Sequence, residues 1–244
     1  MTYCVAMSLN DGIIFASDTR TNAGIDHVST FKKLYRFHVD GERSIVLLTA
    51  GNLATSQAVI NMLQNGINQN SETNLHNVPT LFDAAMLVGE LVSSVARTTQ
   101  TRAHMQEGFG SNFLLGGQIK GQRPALFQIY QEGNCICATE DTPYFQIGES
   151  KYGKPILDRS LNYHSSLDDA VRAILVSFDS TIRSNLSVGF PIDLLVYRND
   201  SFTLPEGCRI SEKDPYLHTL RTEWSEGLKA ILKQFKEPPT YYYD

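Results

Sequence analysis

Cysteine is scarce. Cys4, Cys135, Cys137 and Cys208 are the only four in 244 residues, too few and too scattered for a disulfide scaffold, and they fit a reducing cytoplasm. Long apolar runs are lacking as well. Residues 12–16 (GIIFA) and 173–178 (AILVSF) fall far short of the roughly 18 residues that cross a bilayer. The opening MTYCVAMSLNDG has no basic segment, and Asn10 and Asp11 interrupt it before an apolar stretch can form, so it does not read as a signal peptide. A soluble protein with no membrane partner is expected. Cations are in no surplus either. Lysine and arginine number 21 against 26 aspartates and glutamates, a formal net charge of -5, which leaves nothing to neutralise a phosphate backbone and excludes nucleic acid as the main partner.

What is present forms a core. Apolar residues make up 42% and charged residues 19%, a balance that excludes general disorder and suits one layered domain. Short β-rich runs at 3–9 and 13–16 flank Asn10-Asp11-Gly12, a hairpin signal. Runs at 34–39 and 44–50 flank Asp40-Gly41-Glu42. From Asn52 the apolar residues Leu53, Val59, Ile60, Leu63 and Ile67 change to helical spacing, and a second helix is predicted over 81–102 after Pro79-Thr80. Strand signals return at 111–119, 125–130, 134–139 and 144–148. A helix through Leu167, Val171, Ile174, Phe178 and Ile182 opens on Ser165-Ser166, a strand follows at 191–197, and a last helix covers 215–235 before Pro238-Pro239. Strands and helices segregated in this way favour a layered α+β fold.

The residue that first draws chemistry is Thr2. A small second residue permits removal of Met1, and an N-terminal threonine then carries a hydroxyl nucleophile and, in its own α-amine, a base. The residues downstream strengthen this reading: Gly12, then ASDTRTNAG with Asp18, Arg20 and Gly24, then Thr30-Phe31-Lys32-Lys33-Leu34, then Leu48-Thr49-Ala50-Gly51. Farther on come FLLGGQIKGQRPALFQIYQEGN and IGESKYGKPILDRSL. Over residues 1–200 this succession resembles proteasome β-type subunits, members of the N-terminal-nucleophile hydrolases, and IGES points to a bacterial homologue.

The resemblance implies a four-layer αββα sandwich, with a single β-type domain over 1–237 and a tail at 238–244. It implies a threonine peptidase needing no cofactor and no metal, acting on peptide bonds inside a self-assembled homo-oligomeric ring or spiral. An amidase or amide-transfer enzyme on the same scaffold, and a catalytically quiet assembly protein, are the alternatives. No ATPase or adaptor partner can be read from the sequence. In the roles carried over, Thr2 attacks, Asp18 pairs with Lys33, the Lys33 ammonium lowers the pKa of the Thr2 hydroxyl and amine, and the Gly51 N–H receives the oxyanion. Lys33 is preferred to Lys32 because strand alternation turns neighbours to opposite faces. Arg20, Gly148, Glu149, Ser150, Ser184 and Ser187 are expected around this centre. Two departures stand out: Glu149 follows Gly148 where the family has serine, and Ser184 stands where its D-x-x-S-G motif has aspartate, with Ser187 in the serine's place. A carboxylate at 149 would favour the charged ammonium of Thr2 and weaken it as a base.

The helices at 52–67 and 81–102 carry few charges, Asp83, Glu90, Arg97 and Arg102, and are expected to cover a subunit interface. Other candidates carry less. Cys135-x-Cys137 reads as a core strand rather than a metal pair, since no third ligand lies near it in sequence. His27, His38, His76, His104, His164 and His218 show no metal spacing, and no phosphate loop follows the glycines. The Tyr241-Tyr242-Tyr243 tail reads either as a docking segment or as a loose end.

Overall fold

In the computed structural model, residues 2–22, 28–103 and 108–243 are described, and packing divides the chain into Met1–Ser211 and Glu212–Asp244. Two five-stranded antiparallel sheets form the first unit. One contains β1 (Tyr3–Leu9), β2 (Gly12–Asp18), β10 (Tyr144–Gly148), β11 (Ile192–Arg198) and β12 (Cys208–Ile210) in the order β10-β1-β2-β11-β12. The other contains β5 (Leu34–Val39), β6 (Arg43–Gly51), β7 (Ser111–Ile119), β8 (Ala125–Ile129) and β9 (Cys135–Cys137) in chain order. A small pair, β3 (Arg20–Asn22) and β4 (Val28–Thr30), bridges β2 to β5.

Period-two alternation sorts the side chains into layers. On β1, Tyr3, Val5, Met7 and Leu9 pack with Leu157, Ala170, Ile174 and Phe178, which come from α3 (Lys154–Ser160) and α4 (Leu167–Ser184). The intervening Cys4 and Ala6 face the second sheet and join Val46, Leu48, Leu114 and Leu126. On β6 the alternate residues Ile45 and Leu47 turn outward to Val59, Leu63, Val88 and Val92, supplied by α1 (Leu53–Asn68) and α2 (Leu81–Ala103). The result is the expected α+β sandwich, helices outside and two sheets face to face, in which each fully buried Leu, Ile or Phe contributes about 1.5–3 kcal/mol. Burial on both faces explains why β1, β2 and β6 read as near-continuous apolar runs.

The helix starts follow from their caps. Asn52 Oδ1 accepts from Thr55 N (3.1 Å), and Thr80 and Asp83 exchange backbone-to-side-chain bonds of 3.1 Å each way ahead of α2. Ser166 Oγ accepts from Asp169 N (3.1 Å) at the start of α4. Among the described residues, no helix is long and apolar enough to cross a membrane. The expected core strand at Cys135–Cys137 is corrected: β9 is an edge strand of the second sheet, Cys137 is exposed and Ile136 is 43% exposed. Among the described residues only β8 pairs with it, and only its half-buried Cys135 packs against the core.

The second unit is α5 (Pro215–Gln234) followed by a 3-10 turn at Thr240–Tyr242. Asp214 caps α5 by accepting from Leu217 N (2.9 Å), and Pro215 occupies its first turn. Trp224, Leu228, Ile231, Leu232 and Phe235 leave apolar area exposed on it.

Candidate active site

Asp18 ends β2 fully buried, with its carboxylate ringed by donors. Oδ1 accepts from Lys33 Nζ (2.7 Å) and Tyr3 N (3.1 Å), and Oδ2 accepts from Gly189 N (3.3 Å). Lys33, 3% exposed, also donates to Arg20 O (2.5 Å). An ammonium has three N–H groups. No third protein acceptor holds Lys33 among the described residues, which leaves one N–H for the cleft that the side chain lines. Burial pushes the Asp18 carboxyl above the ordinary carboxylate range, against the pull of Lys33 and the two amides.

Lys32 is exposed, its Nζ 5.8 Å from the centre of the Tyr35 ring. Lys32 is exposed and Lys33 buried, but both precede β5 and lie in irregular chain, where no strand alternation operates. What orients Lys33 is its pair of acceptors, not a strand's pleat. Its own carbonyl then accepts from Thr49 N (3.0 Å), fastening this stretch to β6.

Thr2 lies at the start of β1, buried at 9% exposure. Its carbonyl accepts from Glu149 N (2.6 Å). Gly148, the β1 partner of Tyr3, has φ +84°, and a Cβ there would stand 2.0 Å from Thr2 O, so this position requires glycine. Gly51 ends β6 at φ +120°, directly before the Asn52 cap, and a Cβ on it would meet Gly110 O at 2.6 Å. Thr2, Thr21, Lys33, Thr49, Gly51 and Gly148 converge on one cleft of about 320 Å³. Sequence reasoning missed Thr21 and Thr49 although both lie inside the motifs it used. A larger cleft of about 650 Å³, lined by Ser93, Arg97, Gln100 and Glu132, holds none of the residues expected from sequence.

The proteasome subunit family model matches residues 2–196. The chain belongs to the proteasome subunit family. Nearly its whole length is shared with solved members. It is 51% identical to Anbu (ancestral β-subunit) from Yersinia bercovieri over 97% of this chain and 99% of that one, with a TM-score of 0.92. The helical assembly of the Anbu complex from Pseudomonas aeruginosa gives 54% identity, 98% and 99% coverage and a TM-score of 0.95. The Anbu (Gly-1) mutant from Hyphomicrobium sp. strain MC1 gives 47%, 98% and 100%, and 0.92. No curated protein matches the chain.

The two departures from the proteasome-subunit motifs, Glu149 and Ser184, differ in burial. Glu149 is 6% exposed. Its Oε1 accepts from Lys151 N (2.9 Å) and its Oε2 from Asn185 Nδ2 (2.9 Å). Ser184 is exposed at the end of α4. The residue that meets Glu149 is thus Asn185, one residue past α4, and no local sequence signal marks that bond. Ser187 donates its N–H to Asn185 Oδ1 (2.9 Å), and Ser150 is half-buried beside Glu149 in sequence. Arg20 Nη1 donates to Leu186 O (2.9 Å), tying β3 to the same turn.

Cys4, close to Thr2 in sequence, is no competing nucleophile. It donates to Thr49 O at 3.5 Å, and burial pushes its thiol far up despite Lys33. Among the described residues, no group of three or more His, Cys, Asp or Glu side chains could hold a metal ion. Met1, Gly24, His27 and His104 lie outside the described residues.

Proposed function

We propose that the chain is an N-terminal-threonine peptidase of the cytoplasm, working within a homo-oligomer of its own copies. One observation carries this reading: Thr2, Lys33 and Gly51 line a single cleft, with the buried Asp18 bonded to Lys33 behind it. After Met1 is removed, Thr2 Oγ1 attacks the substrate carbonyl and its proton passes to the α-amine of the same residue. The Lys33 ammonium, oriented by Asp18 and Arg20 O, lowers the pKa of the hydroxyl and the amine. The Gly51 N–H stabilises the oxyanion. Collapse of the tetrahedral intermediate breaks the C–N bond, and the proton goes to the departing amine. Water then hydrolyses the Thr2 ester and regenerates the hydroxyl.

Self-assembly is supported by two observations. The Pseudomonas aeruginosa relative forms a helical assembly, and Trp224, Leu228, Ile231 and Leu232 of α5, with Phe235 just past it, are exposed apolar side chains of the kind that subunit contacts cover. In α1 and α2, Met62 and Phe82 are the large exposed apolar residues. The test is turnover of a panel of peptide amides by the wild type and by Thr2→Ala. Turnover lost with Thr2 is expected, and an equal rate in the variant rejects the proposal.

A further inference from the structure

The peptide group between Thr2 and Tyr3 is held at both ends. Its oxygen accepts from Glu149 N (2.6 Å), and its N–H, on Tyr3, donates to Asp18 Oδ1 (3.1 Å). These two grips belong to distant parts of the chain, and a circuit of side-chain bonds joins them. Glu149 Oε2 accepts from Asn185 Nδ2, and Asn185 Oδ1 accepts from Ser187 N. The turn so formed delivers Leu186 O to Arg20 and Gly189 N to Asp18 Oδ2.

We propose that Glu149 and Asn185 form a positioning pair that fixes the nucleophile's strand against the Asp18–Lys33 ion pair. The inference rests on the reading of Thr2 as nucleophile. Both oxygens of the Glu149 carboxylate are engaged by Lys151 N and Asn185, which directs it to the geometry of the loop. The Thr2–Tyr3 peptide plane sets the direction in which the Thr2 side chain leaves Cα, so a small rotation of that plane moves Oγ1 relative to the Lys33 ammonium. Reaction rates are sensitive to such misplacement.

The bonds have a fixed sense, and that makes the pair testable. Glu149 only accepts, and Asn185 must turn its NH₂ to Glu149 because its oxygen is taken by Ser187 N. Glu149→Gln therefore sets donor against donor at Asn185 or at Lys151 N, and Asn185→Asp sets carboxylate against carboxylate. The double swap E149Q/N185D restores every bond with the sense of the central one reversed.

The experiment is acylation of full-length protein by a peptide β-lactone, followed by intact mass and peptide mapping, with melting temperatures measured in parallel. Each single variant, with Asn185→Ala beside Asn185→Asp, is expected to lower the maximal acylation rate about tenfold while half-saturation by the probe is unchanged. The double swap is expected to recover most of that rate. A merely structural pair would lower the melting temperature and leave the maximal rate of the folded protein intact. Single variants that react like wild type, or a folded double swap as slow as the single variants, would overturn the inference. A wild type that forms no adduct at Thr2 overturns instead the reading of the nucleophile.

Discussion

The two acidic residues that grip the Thr2–Tyr3 peptide, Asp18 by its carboxylate and Glu149 by its main-chain N–H, are both buried, yet their carboxylates have different partners. Asp18 is answered by a cation, Lys33, which is itself turned toward the cleft. Glu149 is answered by neutral donors, Lys151 N in its own loop and Asn185 Nδ2 just past α4. The first arrangement brings charge to the place of reaction, and the second holds shape. Like burial with unlike partners thus separates an electrostatic role from a positional one.

The largest effect expected in testing this contrast is at Lys33. Lys33→Ala leaves Asp18 as a buried charge without its ion-pair partner, at a cost of about 3–5 kcal/mol, and should reduce Thr2 acylation by about a hundredfold or more. Lys32→Ala, on an exposed side chain, should stay within about 0.5 kcal/mol of wild type. Chemical denaturation and acylation rates check both, and equal costs for the two lysines would break the contrast. Next is Gly148→Ala, which demands a positive φ and a methyl group at 2.0 Å from Thr2 O. It should cost about 1–3 kcal/mol and displace Thr2. Glu149→Ala leaves Lys151 N and Asn185 Nδ2 without an acceptor and should cost about 1–3 kcal/mol in the same denaturation series.

Acidity separates Asp18 from an ordinary surface carboxylate. Folding raises its pKa, so between the unfolded and folded values the native state holds the proton more tightly than the unfolded chain. Its contribution to stability therefore falls as pH rises through that window and is constant above it. Asp169, drawn down by Ser166 and Arg172, has the opposite sign, its contribution being lost as pH falls through its lowered pKa. Carboxyl titration by NMR should place Asp18 above the ordinary aspartate value of about 3.9 and Asp169 below it. The smallest effect on the subunit itself is expected at Trp224→Ser. It should leave Thr2 acylation per folded chain nearly unchanged while reducing the assembly seen by light scattering.

Legibility in the sequence followed the range of each interaction. The alternation that divides Tyr3, Val5 and Met7 from Cys4 and Ala6 is local, so the strands, both helix layers and the motifs around Asp18, Lys33 and Gly51 were readable along the chain. Asn185 was not, because its importance comes from Glu149, 36 positions away, and nothing in its own neighbourhood encodes that bond. Strand alternation points to Lys33 over Lys32, whereas bonds to Asp18 and Arg20 O set its direction. The edge position of Cys135–Cys137 depends on which strand lies last in the sheet, and the exposure of apolar residues along α5 on what surrounds a helix. Neither follows from period or spacing.

Intact mass of the purified protein before and after exposure to the peptide β-lactone tests the central claim most directly. The predicted result is a chain without Met1 that gains one adduct, mapped to Thr2 and absent from Thr2→Ala. Adduct-bearing chains that retain Met1, or an equal adduct on Thr2→Ala, would contradict the N-terminal threonine as the reacting group.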